Sequence, residues 1–159
     1  MLQLDLPNFD FKISLKDSKK YIFDIIRKKH LTLTPEEWVR QNLIHYLISK
    51  LDYPKSLIKV ESLLTYNNLK KRADIVAYNT DLSIRLLVEC KSYKIKLTQS
   101  AFNQVSIYNK VFKSKYLLVS NYVAVPYQNH WGHGRVLLLH IQFQIPYQHS
   151  HQKKLEFFD

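Results

Sequence analysis

Apolar and polar residues alternate in two short stretches near the start of the chain, Phe9–Leu15 and Tyr21–Ile25. The polar segment Lys16–Lys19 separates them, and the basic stretch Arg27–His30 follows. Alternation with a period of two is typical of a half-buried strand, and a short polar segment between two such runs is typical of a turn. The pattern therefore predicts an N-terminal β-hairpin.

The periodicity becomes helical after Thr34. The sequence Thr34-Pro35-Glu36-Glu37 places an N-cap residue before a first-turn proline and an acid at the third helical position, which is a capping box. Apolar residues then recur at helical spacing, namely Trp38, Leu43, Ile44, Leu47, Ile48 and Leu51. The pattern predicts a helix that begins at this cap and runs to about Leu51, before Tyr53-Pro54.

Four apolar runs follow, and a helical pattern separates the last two. The predicted strands are Leu57–Leu64, Ala73–Tyr78, Ile84–Lys91 and Lys115–Ser120. The predicted second helix is Thr98–Phe112. This order of elements predicts the α/β class, with a mixed central β-sheet flanked by helices and an N-terminal β-hairpin.

Length and composition fit one domain, because the chain has 159 residues of which 46% are apolar. We expect a hairpin extension at 1–33, a core at 34–121 and an atypical tail at 122–159. The tail holds both glycines and five of the seven histidines. The spacing of those histidines matches no common zinc module, so we expect them to lie on the surface.

Cys90 is the only cysteine, which excludes an internal disulfide and favours a reducing compartment. The first residues lack the pattern of a secretory signal, and no apolar run reaches about 18 residues. We therefore expect a cytoplasmic protein. The formal charge of +11 favours a nucleic-acid partner, and the absence of a lipidation motif argues against a membrane.

Three charged residues stand in otherwise apolar strands. Glu89 and Lys91 should share one face of their strand, about 6.6 Å apart, while Val88 and Cys90 take the other face. Asp74 begins another apolar strand. If the two strands pair, the carboxylates of Asp74 and Glu89 can meet at roughly 5 Å, where one cation could bridge them.

Such a group of residues suits metal-assisted phosphodiester hydrolysis. Carboxylates are the hard ligands that Mg²⁺ binds, and the ion activates a water while neutralising the phosphate. Lys91 would position that water or stabilise the transition state. The alternative is an ordinary solvated strand end with a salt bridge, which these three residues alone do not exclude.

Five motifs in order carry a resemblance over roughly residues 1 to 121. They are Thr34–Gln41, Ile58–Glu61, Lys70–Val76, Leu87–Lys91 and Gln104–Asn109. In this order they resemble the PD-(D/E)xK nuclease superfamily, and in particular the domain at the N-terminus of type I restriction enzyme R subunits. The resemblance ends after Asn121, which suggests the hypothesis that the tail is a replaced or out-of-frame end. The chain lacks a Gly-rich phosphate loop, so we expect a free-standing nuclease-like domain without a motor.

The resemblance implies a role for each matching residue. Asp74 and Glu89 would bind Mg²⁺, for which Mn²⁺ can substitute, and Lys91 would be the catalytic lysine. An acid of the first helix, Glu37 or Glu36, would complete the metal site, although capping the helix is the favoured role for both.

Further matching residues have less specific roles. Glu61 would support the metal ligands or be only a strand-end charge. Gln104 and Tyr108 lie one helical turn apart, where they would face the site or the nucleic acid, or simply pack. Three basic residues are candidates for nucleic-acid contact or for support of the site: Arg40, Lys71 and Arg72.

The sequence thus predicts Mg²⁺-dependent hydrolysis of DNA, of an endonuclease type that acts in restriction or DNA processing. The first alternative is a nucleic-acid-binding module that keeps the nuclease fold without turnover. The second is a structural or interaction domain whose basic charge is incidental.

Overall fold

A computed structural model describes residues 9–66, 69–92, 109 and 112–120. In chain order its elements are β1 (Ile13–Lys16), β2 (Lys19–Asp24), β3 (Lys29–Thr32), α1 (Pro35–Ser49), β4 (Ile58–Tyr66), β5 (Leu69–Tyr78), β6 (Ile84–Cys90) and β7 (Tyr116–Ser120). The strands form two sheets, so the described part is mixed α/β with mostly strands. No helix within it has the length and apolar character needed to cross a membrane.

The N-terminal sheet is an antiparallel meander of β1, β2 and β3. The predicted hairpin is confirmed, and its two-residue turn holds Asp17 and Ser18 at φ 49° and 59°, as the right-handed twist of a tight hairpin requires. The third strand was not predicted. Only one of its four residues, Leu31, is apolar, and pairing opposite the buried Ile22 is what defines it as a strand.

The main sheet has the strand order β4-β5-β6-β7. The first three strands are antiparallel neighbours, whereas β7 runs parallel to β6, so the predicted mixed sheet is confirmed. A parallel pair needs a crossover between its strands. The predicted helix Thr98–Phe112 falls in that connection and lies outside the described residues, apart from Asn109 and Phe112, both of which are helical.

Helix α1 begins at the predicted residue, because the Thr34 hydroxyl accepts a hydrogen bond from the Glu37 N–H at 3.0 Å. The helix ends at Ser49, two residues before the predicted end. It packs on one face of the main sheet through a cluster made of Val39, Leu43, Ile44, Leu47, Ile58, Ile75, Val88, Cys90 and Leu118. A second cluster covers the opposite face and is made of Leu64, Val76, Leu87, Leu117 and Val119.

Candidate active site

Asp74 and Glu89 lie where the pairing of β5 and β6 ends. The last paired residues are Ile75 and Val88, so Asp74 and Glu89 follow as the next residues on the two strands. Past this point the Cys90 N–H donates to Asp74 Oδ2 at 2.6 Å. The side chain of Asp74 thus takes the place of a backbone acceptor, which fixes one of its oxygens beside the end of β6.

Lys91 completes this group. Its Nζ lies 2.6 Å from Glu89 Oε1, and both side chains are partly buried. The charge of Asp74 acts on both residues, since it raises the pKa of Glu89 and that of Lys91. The structure therefore brings together the three residues that the sequence singled out. We refer to Asp74 and Glu89 as the acid pair.

Burial raises the pKa of Glu89 above its usual value. The hydrogen bond from Lys91 opposes this change, and the negative charges of Asp74 and Glu36 add to it. For Lys91, burial would lower the pKa, but the hydrogen bond and charge of Glu89, together with the charges of Asp74 and Glu36, outweigh burial and the pKa is raised. The site therefore holds a positively charged lysine, Lys91, beside an acid pair whose negative charge is only partly neutralised.

The two acids at the start of α1 have different surroundings. The Glu37 side chain is only 8% exposed and accepts hydrogen bonds from Arg27 at 2.6 Å, from Gln41 at 2.9 Å and from Arg40. The Glu36 side chain is 48% exposed, lies 3.3 Å from Arg40, and its charge raises the pKa of Glu89. Of the two candidates, Glu36 is the more exposed, and its charge acts on Glu89.

The expected capping box is formed on one side only. The carboxylate of Glu37 does not return a bond to the N-cap, because the Thr34 N–H donates to the Thr32 carbonyl instead. Two guanidinium groups draw the carboxylate away, since charge-assisted hydrogen bonds are stronger than a bond to a neutral backbone N–H.

Arg40 fixes the other oxygen of Asp74. Its Nη2 donates to Asp74 Oδ1 at 2.6 Å, and its side chain is only 5% exposed. Burial would lower the pKa of Arg40, but the neighbouring Asp74 and Glu37 outweigh it and the pKa is raised. Arg40 therefore contacts carboxylates inside the protein, in a position that suits support of the site.

A second group of charges lies behind Arg40, and the sequence did not reveal it. Asp24 is fully buried and accepts from two backbone N–H groups of the turn after β2, and from Arg27 Nε at 2.6 Å and Gln41 at 2.8 Å. Arg27 in turn contacts Glu37. We call Asp24, Arg27, Glu37, Arg40 and Gln41 the arginine cluster.

The available sequence signal for this cluster was Asp24 followed three residues later by Arg27, a spacing that allows the acid to accept from the turn after it. From the sequence alone, Arg27 is recognised only as the first residue of the basic stretch Arg27–His30.

Glu61 lies in the middle of β4 and not at a strand end. Its backbone adopts φ 49°, which is unfavourable for a residue with a Cβ atom. Its carboxylate is 2.7 Å from Arg27, and 3.8 Å from both Arg40 and Arg72. Glu61 thus contacts the arginine that holds Asp74.

The other candidates lie at the surface or beyond the described residues. The Arg72 side chain is 68% exposed, and Lys71 is partly buried. Both line an open depression of about 300 Å³ beside Glu89, together with Leu64, Ala73, Leu87, Val88 and Phe112. Gln104 and Tyr108 lie outside the described residues.

The donors fit a hydrated divalent cation better than a fully protein-bound one. Within the described ranges, no three His, Cys, Asp or Glu side chains form a group that could hold a metal ion. Mg²⁺ commonly binds one or two carboxylates and keeps several waters. The acid pair supplies two carboxylates, already contacted by Arg40 and Lys91, and this number matches that requirement.

Comparison with known proteins identifies one family. Residues 35–130 match the family described as type I restriction enzyme R protein N terminus (HSDR_N). No curated protein sequence matches the chain. The match spans 96 of 159 residues (35 to 130 inclusive). It leaves out the N-terminal sheet, although the sequence suggested a resemblance from residue 1, and it continues nine residues past 121. With more than half of its length matched, the chain belongs to the type I restriction enzyme R protein N-terminal family.

Proposed function

We propose that the chain hydrolyses phosphodiester bonds of DNA at the acid pair, with Mg²⁺ or Mn²⁺ as its cofactor. Membership of a restriction-enzyme family supports a role in a restriction system. The observation that carries the proposal is the meeting of Asp74, Glu89 and Lys91 where β5 and β6 stop pairing. We also propose that α1 and the main sheet form a PD-(D/E)xK nuclease core.

The residues divide the work as follows. Arg40 and the Cys90 N–H hold Asp74 in one orientation, and each of its oxygens keeps a further lone pair for a cation. Glu89 supplies the second carboxylate. A metal ion bound there would neutralise the phosphate and activate a water. Lys91 lies beside the pair, where its ammonium can orient the attacking water or stabilise the charge that builds up on the phosphate.

Glu36 is the acid of α1 that we propose as an additional ligand, direct or through water. It is half-exposed and its ion pair with Arg40 is long, at 3.3 Å, so its carboxylate can turn toward the acid pair. Glu37 is held by two arginines and would leave them unpaired if it turned. Lys71 and Arg72, at the depression beside Glu89, would bind the DNA backbone.

The second candidate is a nucleic-acid-binding module without turnover. The observation in its favour is the closed ion pair between Lys91 and Glu89, at 2.6 Å, because a cation bound to Glu89 would compete with that lysine.

A paired cleavage assay tests the proposal. The full chain is incubated with plasmid DNA in Mg²⁺, in Mn²⁺ and in a chelator, beside Asp74→Asn and the matched control Asp81→Asn. Asp81 is an exposed residue of the turn between β5 and β6. We expect cutting by the wild type and the control, only with metal, and none by Asp74→Asn. Equal cutting by all three proteins would show a contaminant. Salt-sensitive binding without any cutting would establish the second candidate.

A further inference from the structure

The two faces of the N-terminal sheet differ at its centre, where the inner face is buried, although Leu15, Lys20 and Lys29 at the margins of the inner face are exposed. Cross-strand partners share a face, so the inner face carries the fully buried Ile22 and Asp24 of β2. The outer face consists of three rows of cross-strand neighbours. The first row is Lys12, Phe23 and His30, the second is Ser14, Tyr21 and Thr32, and the third is Lys16 and Lys19. This outer face carries three lysines and no carboxylate among its described residues.

Two aromatic side chains lie at the centre of the outer face. Tyr21 and Phe23 are two residues apart on β2, which places them about 6.6 Å from each other on the same side. The Phe23 ring is 5.2 Å from the His30 ring, at an angle of 59°, and Lys12 Nζ lies 5.8 Å from the Phe23 centroid. The rings are half-buried, while the lysines around them are exposed.

Charge in the N-terminal segment is concentrated on exposed lysines. Residues 9–33 contain six lysines and Arg27 against Asp10, Asp17 and Asp24, a net +4 in 25 residues. Arg27 and Asp24 pair with each other inside the protein. The excess of positive charge is therefore carried by side chains at the surface.

We propose that this outer face binds single-stranded DNA, with bases stacked on Tyr21 and Phe23 and phosphates contacted by Lys12, Lys16 and Lys19. Aromatic rings surrounded by cations on an open sheet suit single strands, because every unpaired base has a face that can stack. The inference rests on the proposed function in taking DNA as the partner, but it uses none of the residues of the acid pair.

The outer face is joined to the candidate active site through one strand. The side chains of Tyr21 and Phe23 point outward from β2, and Asp24, the next residue, points inward and binds Arg27. Arg27 contacts Glu37, which contacts Arg40, which holds Asp74. Single-stranded DNA bound on the outer face would therefore contact β2, the same β-strand that carries Asp24 of the arginine cluster.

Fluorescence anisotropy tests this inference with a labelled oligothymidine of about 15 nucleotides, long enough for one binding face. The full chain is titrated in chelator, so that no cleavage occurs. The variants are Phe23→Leu, Tyr21→Leu, Lys12→Gln and Lys19→Gln, and Lys50→Gln is the matched control at the exposed end of α1. Circular dichroism and thermal unfolding of every variant identify any that fail to fold. The leucine variants keep an apolar side chain at each ring position.

We expect Phe23→Leu and Tyr21→Leu each to weaken binding about tenfold, because stacking on one ring is lost. Lys12→Gln and Lys19→Gln should each reduce the slope of log affinity against log salt by about 0.7, and Lys50→Gln should not. Two results would overturn the inference: unchanged affinity in both leucine variants, or equal losses in all three lysine variants.

The same titration, run beside the cleavage assay of the wild type, separates this inference from the proposed function. Ring-dependent binding by a wild-type chain that does not cut DNA with Mg²⁺ or Mn²⁺ would sink the nuclease proposal alone. Normal metal-dependent cutting with unchanged binding in the leucine variants would sink this inference alone.

Discussion

The arginine cluster and the acid pair lie side by side, joined by Arg40, yet the pKa of Asp24 in the first and the pKa of Glu89 in the second are shifted in opposite directions. Burial alone would raise the pKa of Asp24, but hydrogen bonds from the Arg27 backbone and side chain outweigh burial and lower it. At Glu89 burial prevails over the bond from Lys91, and the pKa is raised. The donors around Asp24 outweigh the effect of burial on its pKa, whereas the donor at Glu89 does not.

This difference separates a structural charge group from a candidate binding site. A buried carboxylate with matched donors stabilises the fold while it is ionised, and it has little to gain from another cation. The charge of Glu89 is disfavoured by partial burial despite the bond from Lys91, so a further cation would stabilise it. The acid pair is therefore where a metal ion would gain the most binding energy. The following predictions test that contrast, from the largest expected effect to the smallest.

Glu89→Gln should separate activity from stability. We expect single-turnover cleavage to fall about a thousandfold or more, because a metal ligand is lost. The free energy of unfolding in urea without metal should stay the same or rise, because the variant removes a charge that burial disfavours. A large loss of stability would mean that the acid pair is a structural ion pair.

Asp24→Asn should behave in the opposite way. The change removes one of the three carboxylates that Arg27 contacts, and the buried charge that accepts from two backbone N–H groups, so we expect the free energy of unfolding to fall by on the order of 3 kcal/mol. Urea denaturation measures this loss, with Asp81→Asn as the exposed control. If the two variants were equally stable, the arginine cluster would not be the structural region that its hydrogen bonds indicate.

Arg40→Lys tests the link between the two regions. Lysine keeps the charge but cannot donate to Asp74 and Glu37 through one planar group. Because Arg40 is a positioning residue, its replacement should lower the cleavage rate about 10- to 100-fold and raise the Mg²⁺ concentration needed for half-maximal cutting. Arg85→Lys, on β6, is the control. A fall in rate without a shift in metal dependence would indicate a merely structural role.

The pH dependence of stability should have opposite signs in the two regions. Since the pKa of Asp24 is lowered, its stabilisation is present above the ordinary value of 3.8 and is lost as pH falls through the lowered pKa. Since the pKa of Glu89 is raised, the folded state is favoured below 4.5, and this benefit is lost as pH rises through the raised pKa.

Unfolding of the metal-free wild type and of the two amide variants over pH 2 to 8 measures these dependences. The free energy by which the wild type is more stable than Asp24→Asn should decrease as pH falls. The stability of Glu89→Gln relative to the wild type should increase as pH rises. A pH dependence of the same sign in both series would mean that the two regions do not differ in this way.

Local patterns were enough to predict most of the elements. The Thr34 cap determined where α1 begins, and apolar runs located β4, β5, β6 and β7. They could not predict that β5 already begins at Leu69, because Lys70 to Arg72 are polar and belong to the strand only through their pairing with β4.

The acid pair could be proposed from sequence because strand alternation and the pairing of two neighbouring strands are regular. The arginine cluster could not. Glu37, Arg40 and Gln41 look like the solvated side of a helix, and their burial depends on charges supplied by β2 and the turn after it. Alternation indicates which residues share a face, but it does not indicate whether a polar face meets water or another polar face.

The sequence by itself thus determined the class of the fold, the start of the first helix and the strands that carry Asp74 and Glu89, because these depend on neighbours along the chain. Lys91 was predicted to end the second of these strands and lies one residue beyond it. Only the tertiary structure decided that two arginines hold Glu37 while Glu36 stays half-exposed, that Arg40 is buried, and that Asp24 anchors the cluster behind it. Those outcomes depend on how charges from separate elements meet, and long-range pairing of charges leaves no periodic trace in the chain.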